Sequence, residues 1–116
     1  MDITEYFDLK IIDNLKELGG GDDSFLKEVM NLYLEQAPGL LNDIRKYAAA
    51  SNAEEMSKSA HCLKGASLNI GANKFAEVCK NIEMAGKENN LEGIDALIKE
   101  MDDCYNYTKE LIGNFI

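Results

Sequence analysis

Three features of the sequence predict an all-α protein, an antiparallel four-helix bundle with an additional short N-terminal helix. Apolar residues recur at helical spacing along almost the whole chain, a single proline stands among 116 residues, and no stretch alternates with period two for long enough to argue a sheet. The length allows one domain, residues 1–116, and 46% apolar residues are enough to give it a core.

The first helix, about residues 8–18, is read from Phe7, Ile11, Ile12, Leu15 and Leu18. Asp8 is its expected N-cap, Phe7 is placed to staple onto Ile12, and Gly19-Gly20-Gly21 ends it. The second, about 23–50, opens at Asp22 or Asp23 and carries a stripe through Leu26, Met30, Tyr33, Ala37, Leu41, Ile44 and Ala48. Pro38 lies inside it, where a proline costs about 3 kcal/mol in a regular helix. Because the stripe keeps its phase across Pro38, one long kinked helix is expected, its buried face offsetting the local loss. Asn52 and Glu55 form a capping pair for the third helix, about 53–70, whose stripe is Met56, Ala60, Leu63, Ser67 and Ile70. Gly71 stops it. The fourth, about 72–88, shows Phe75, Cys79, Ile82 and Gly86 on one face, and Lys87-Glu88-Asn89-Asn90 makes the following turn. The fifth, about 91–115, aligns Ile94, Leu97, Ile98, Met101, Tyr105, Thr108, Ile112 and Phe115. Short connections between long helices favour antiparallel neighbours.

Composition removes several functions. Twelve basic against 21 acidic side chains give a formal charge of −9, which leaves no electrostatic footing for nucleic acid or an anionic membrane. A solvated surface explains the acidic excess without a partner. No apolar run nears the ~20 residues that span a bilayer. Asp2 and Glu5 stand where a secretory signal has basic and apolar residues, so a cytoplasmic chain is expected. Cys62, Cys79 and Cys104 are odd in number and lack CxxC spacing, so they are expected as reduced thiols in or beside the core. With one histidine, no Walker loop, no dinucleotide fingerprint and no dedicated acidic cluster, no metal or cofactor of its own is expected.

That histidine is the informative residue. At 100° per residue, His61 lies about 140° from the centre of the inward stripe of its helix and should face solvent. Ser57, Lys64, Gly65 and Leu68 share its side. Gly65 is costly there, about 1 kcal/mol relative to Ala in an exposed helix interior, which points to something approaching closely. Lys64 sets a cation where an anion on the imidazole would be partly neutralised. A neutral imidazole carries a nucleophilic lone pair without a dedicated base. Together these point to phosphate on histidine. Cys62 points about 100° from His61, a poor placement for a Cys/His pair, and is assigned to packing.

His61-x-Leu63-Lys64-Gly65 with the small residues Ala66 and Ser67, followed by Ile70-Gly71-Ala72, resembles the signature of histidine-containing phosphotransfer (HPt) domains. Phe75, Cys79, Ile82 and Glu83 fall where that family places apolar positions and a Leu/Ile-Glu pair, and the likeness is densest over residues 60–83. The Gly-Asp opening of the second helix and the Pro38 region extend it over essentially the whole chain. The resemblance implies that His61 accepts a phosphoryl group on Nε2 from an aspartyl phosphate of a receiver domain and passes it to another receiver. Lys64 would steady the phosphoryl oxygens, Gly65 would let the receiver reach the imidazole, and the receiver would bring the Mg²⁺. Partners are then response-regulator receivers, including those of hybrid sensor kinases, and the chain is a phosphocarrier and not an enzyme.

The rim is less specific. Ser57 either hydrogen-bonds near the imidazole or is a solvated helix residue, Leu68 is a docking contact if exposed, and Lys58 adds charge. Ile11 and Ile12 either cap the bundle end or extend the docking surface. Two other readings compete with the carrier. One is a catalytically silent helical adaptor that binds a receiver or kinase, against which the presence of both His61 and Lys64 argues. The other is an enzyme with His61 as general base, which needs a cleft and an orienting carboxylate that none of Ser57, Lys64, Gly65 and Leu68 supplies. A bundle whose helices each bury one face needs no partner, so a monomer is expected.

Overall fold

The computed structural model describes residues 3–116; Asp2, read above for its place near the N-terminus, lies outside the described residues. The stripes and breaks fold into α1 (Ile3–Tyr6), α2 (Leu9–Leu18), α3 (Ser24–Ala49), α4 (Ala53–Asn69), α5 (Asn73–Lys87) and α6 (Ile94–Ile112). The last four form the bundle, and the molecule measures 46 Å along its longest axis. Its core is the set of stripes read above: Leu26, Met30 and Ile44 of α3, Met56, Ala60 and Leu63 of α4, Phe75 and Ile82 of α5 and Met101 and Ile112 of α6 are all buried. At roughly 1.5–3 kcal/mol for each fully buried large apolar side chain, these stripes outweigh any single local defect. Pro38 illustrates it. α3 runs unbroken through that residue, with Ala37 and Leu41 buried on either side. No helix among the described residues is long and apolar enough to cross a membrane.

Caps fall where the side chains invite them. Asp8 accepts from the Lys10 N–H at 3.0 Å, Asn52 from the Glu55 N–H at 3.3 Å, and Asp22 from both the N–H and the hydroxyl of Ser24. α4 ends at Gly71, where φ is +76° and the Ala72 N–H returns to the Ser67 carbonyl at 2.9 Å. A Cβ on Gly71 would lie 2.9 Å from the Asp8 carbonyl oxygen, so glycine serves both the turn and the close passage of the chain into α2.

Several expectations need correction. The helix α1 was not foreseen, since four residues show no period; it is held where the tilted ring of Tyr6 meets Tyr107 and the adjoining Phe7 packs edge-on against Phe115. The last helix is shorter at both ends than 91–115, because Asn90 accepts the Glu92 N–H and Gly93 adopts a left-handed conformation before α6 starts. Leu18, one of the apolar residues from which this helix was read, is exposed. Ile12 is buried and Ile11 is half-buried against Gly71, which favours the bundle-end role of the two alternatives read for them. Cys79 is buried and Cys104 half-buried as expected, whereas Cys62 is exposed. The apolar arc of α4 is narrow, and a residue 100° from its outermost point still lies outside that arc.

Candidate functional site

α4 and α5 meet along an unusually close seam. A Cβ on Gly86 would stand 2.6 Å from the Ala53 carbonyl oxygen and 2.7 Å from the Ser57 Cβ, so only glycine permits this approach. Ser57 is therefore buried, and its hydroxyl donates to the Glu83 carbonyl at 3.0 Å. Of the two alternatives read for Ser57, the solvated one fails for this reason: the seam covers it, and its hydrogen bond ties α4 to α5 one turn before His61.

One turn further on, Glu83 rises from the buried face of α5 beneath His61. Its carboxylate, 2% exposed, is shared by three groups: His61 Nδ1 lies 2.9 Å from Oε2, Lys64 Nζ 2.6 Å from Oε1, and Lys87 Nζ 3.1 Å from Oε2. Lys64 above all, with Lys87 and His61, pushes the Glu83 carboxyl down to about 2 against the upward pull of burial. An ionised carboxylate accepts hydrogen bonds and donates none, so Nδ1 must be the donor. In the neutral ring this leaves the lone pair on Nε2, and the imidazole, 65% exposed, turns that edge outward.

Around this triad the predicted residues divide. His61 is exposed as expected, and so is Leu68. Lys64 is less free than its place on the helical wheel suggested, 23% exposed with its ammonium on Glu83. Lys58 is exposed, and its charge is met by Glu54 and Glu55 at 3.5 and 3.3 Å. A Cβ on Gly65 would touch nothing within 4 Å, so no contact inside the protein requires glycine there.

Glu83 was noticed only as part of the family-like Ile82-Glu83 pair, and Lys87 only as part of a turn. A signal for the first was present: residue 83 lies beside Cys79 and Gly86 on the inward arc of α5, and a carboxylate placed there must find partners. Glu83 also supplies the orienting carboxylate whose lack had counted against a general base. A cavity of about 510 Å³ opens beside the ring, lined by Ser57, Lys58, His61, Cys62, Glu83 and Lys87. Among the described residues no group of three or more His, Cys, Asp and Glu side chains is placed to hold a metal.

A helical bundle that presents one imidazole outward, its Nδ1 held by a buried carboxylate and its flank stripped to glycine, has the form of a histidine phosphotransfer module. The family model of the Hpt domain matches residues 28–110, and the chain belongs to that family. It is 30% identical over 97 residues to multistep phosphorelay regulator 1 of Schizosaccharomyces pombe, covering 83% of this chain and 33% of that protein. It is 25% identical over 85 residues to a phosphorelay intermediate protein of Candida albicans, covering 73% of this chain and 46% of that one. The chain thus spans less than half the length of these two fungal relatives. Histidine-containing phosphotransfer protein 2 of Arabidopsis thaliana is 24% identical over 106 residues, 68% of its length. Among solved structures, histidine-containing phosphotransfer protein B of Pseudomonas aeruginosa superposes with a TM-score of 0.86 at 23% identity, over 94% of this chain and 92% of that one. A histidine-containing phosphotransfer protein of Medicago truncatula gives 0.80 at 24% identity, over 95% and 76% of the two chains. Both share the fold.

Proposed function

We propose that this chain is a phosphorelay intermediate of two-component signalling, accepting a phosphoryl group on His61 Nε2 from the aspartyl phosphate of one receiver domain and delivering it to another. The observation that carries this reading is the Nδ1 contact to Glu83, which turns the nucleophilic lone pair outward beside an empty flank at Gly65. In the forward step Nε2 bonds to phosphorus, the phosphorus–oxygen bond to the receiver's aspartate breaks, and the carboxylate departs with the electron pair. Nδ1 keeps its proton on Glu83, so the positive charge that the ring acquires lies against a carboxylate. Lys64 holds the Glu83 carboxylate beneath the ring, Gly65 gives the receiver room, and exposed Leu68 and Lys58 meet its surface. The receiver contributes the Mg²⁺ and the acidic residues that bind it; this chain contributes the acceptor. It acts as a monomeric carrier in the cytoplasm, turning over no substrate of its own.

The test is incubation with a panel of phosphorylated receiver domains, following label transfer and its stability to acid and alkali. An acid-labile, alkali-stable label that vanishes in His61→Gln, with helicity by circular dichroism unchanged, is the expected result. Binding without transfer from any receiver would instead establish the silent adaptor.

A further inference from the structure

The two ammoniums on Glu83 are not equivalent. Lys64 is 23% exposed and holds Oε1, the oxygen away from the ring contact, at 2.6 Å. Lys87 is 61% exposed and sits 3.1 Å from Oε2, the oxygen that also receives His61 Nδ1 at 2.9 Å. The path through that shared oxygen keeps the Lys87 ammonium within about 6 Å of Nδ1. Lys87, and not Lys64, lines the cavity beside the imidazole. The third nearby ammonium, that of Lys58, is already engaged by Glu54 and Glu55.

Phosphorylation changes what each charge needs. As Nε2 takes the phosphoryl group and Nδ1 keeps its proton, the ring becomes cationic and draws harder on Oε2, where Lys87 competes with it. At the same moment several anionic oxygens arrive next to the ring with no counter-charge of their own. We propose that Lys87 is the cation that exchanges, releasing Glu83 Oε2 to the charged imidazole and moving onto the phosphoryl oxygens, while Lys64 remains the counter-ion that keeps Glu83 in place. The inference rests on the phosphocarrier reading and refines it: one lysine positions the carboxylate, and the other meets the transferred group. An exposed side chain with four methylenes makes the move without disturbing the helix, whereas the more covered Lys64 ammonium would leave a buried carboxylate short of a partner.

The experiment uses the full chain with phosphoramidate, a small donor that needs no receiver, alongside the receiver panel. For Lys87→Gln the initial rate of His61 labelling is expected to fall about fivefold to tenfold, the scale of one solvent-exposed charge-assisted contact, with Lys87→Arg restoring most of it. The titration of the phosphoryl group, followed by ³¹P NMR, is expected to shift upward by about half a unit in Lys87→Gln, because a cation beside the oxygens favours their ionised form. A merely structural lysine would not move that titration. If Lys87→Gln is labelled at the wild-type rate and its ³¹P titration superposes on the wild type, the exchange is wrong while the carrier reading stands. If no donor labels His61 in the wild-type chain, both fall.

Discussion

α4 carries a buried polar contact on each of its two seams, and they are built on opposite plans. Against α3, the Tyr33 hydroxyl lies 2.7 Å from Ser67 Oγ, which itself donates to the Leu63 carbonyl at 2.7 Å. Every group there is neutral, buried and satisfied, and burial pushes the Tyr33 hydroxyl far above its ordinary range. Against α5, Glu83 is just as buried but ionised, and its partners reach it from the solvent side. The first arrangement fixes how two helices pack. The second leaves a charge balance adjustable from outside, which suits the phosphoryl transfer proposed for His61. Low local dielectric strengthens both, but only the charged one can respond to a new charge.

Substitutions on the two seams should separate these roles. Glu83→Gln keeps the shape and removes the charge; transfer to His61 is expected to fall by roughly tenfold or more, the worth of a charge-assisted hydrogen bond of ~1.5–3 kcal/mol. Nitrogen NMR of the His61 ring should show the proton no longer confined to Nδ1. Ser67→Ala on the other seam leaves the Tyr33 hydroxyl without its partner and should cost ~1–3 kcal/mol in urea unfolding, with the transfer rate unchanged. Equal loss of transfer in both variants would mean that the site depends on general packing and not on the carboxylate. Gly65→Gln is expected to slow transfer several-fold by obstruction while raising helix stability by up to ~1 kcal/mol, so activity and stability move in opposite directions.

A further effect is on acid stability. The Glu83 carboxyl is held near 2 in the fold against an ordinary value of 4.5, so its contribution is complete above about pH 4.5 and is lost as the pH falls through about 2. Unfolding measured between pH 6 and pH 2 should fall less steeply in Glu83→Gln than in the wild type, and Ser67→Ala should parallel the wild type.

What the sequence disclosed follows a physical boundary. The stripes of α3 to α6 and the outward direction of His61 depend on one helix at a time, and a period of 3.6 residues is enough to find them. The burial of Ser57, the place of Glu83 beneath the ring and the reach of Lys87 depend on how α5 is rotated and raised relative to α4, which no single-helix pattern contains. The choice between the two roles of Ile11 was open for a related reason: its partial burial comes from α2 passing close to Gly71, a contact between distant parts of the chain. Cys62 shows the converse error, since a core was assumed on a flank of α4 that the neighbouring helices leave open.

The turn from Ile70 to Ala72 between α4 and α5 therefore acts as a ruler for the site. All four groups of the charge balance lie on the hairpin it joins, so its length sets their phase. One residue added within α5 ahead of Glu83 would rotate that carboxylate by about 100° and carry it 1.5 Å along the axis, away from the imidazole. The Gly19–Asp23 connection has no such duty, because it joins α2 to α3 and neither bears His61 or its partners. Lengthening it costs only about 0.6 kcal/mol per doubling. The arrangement around His61 thus tolerates growth of the chain at one glycine turn and forbids it at the other.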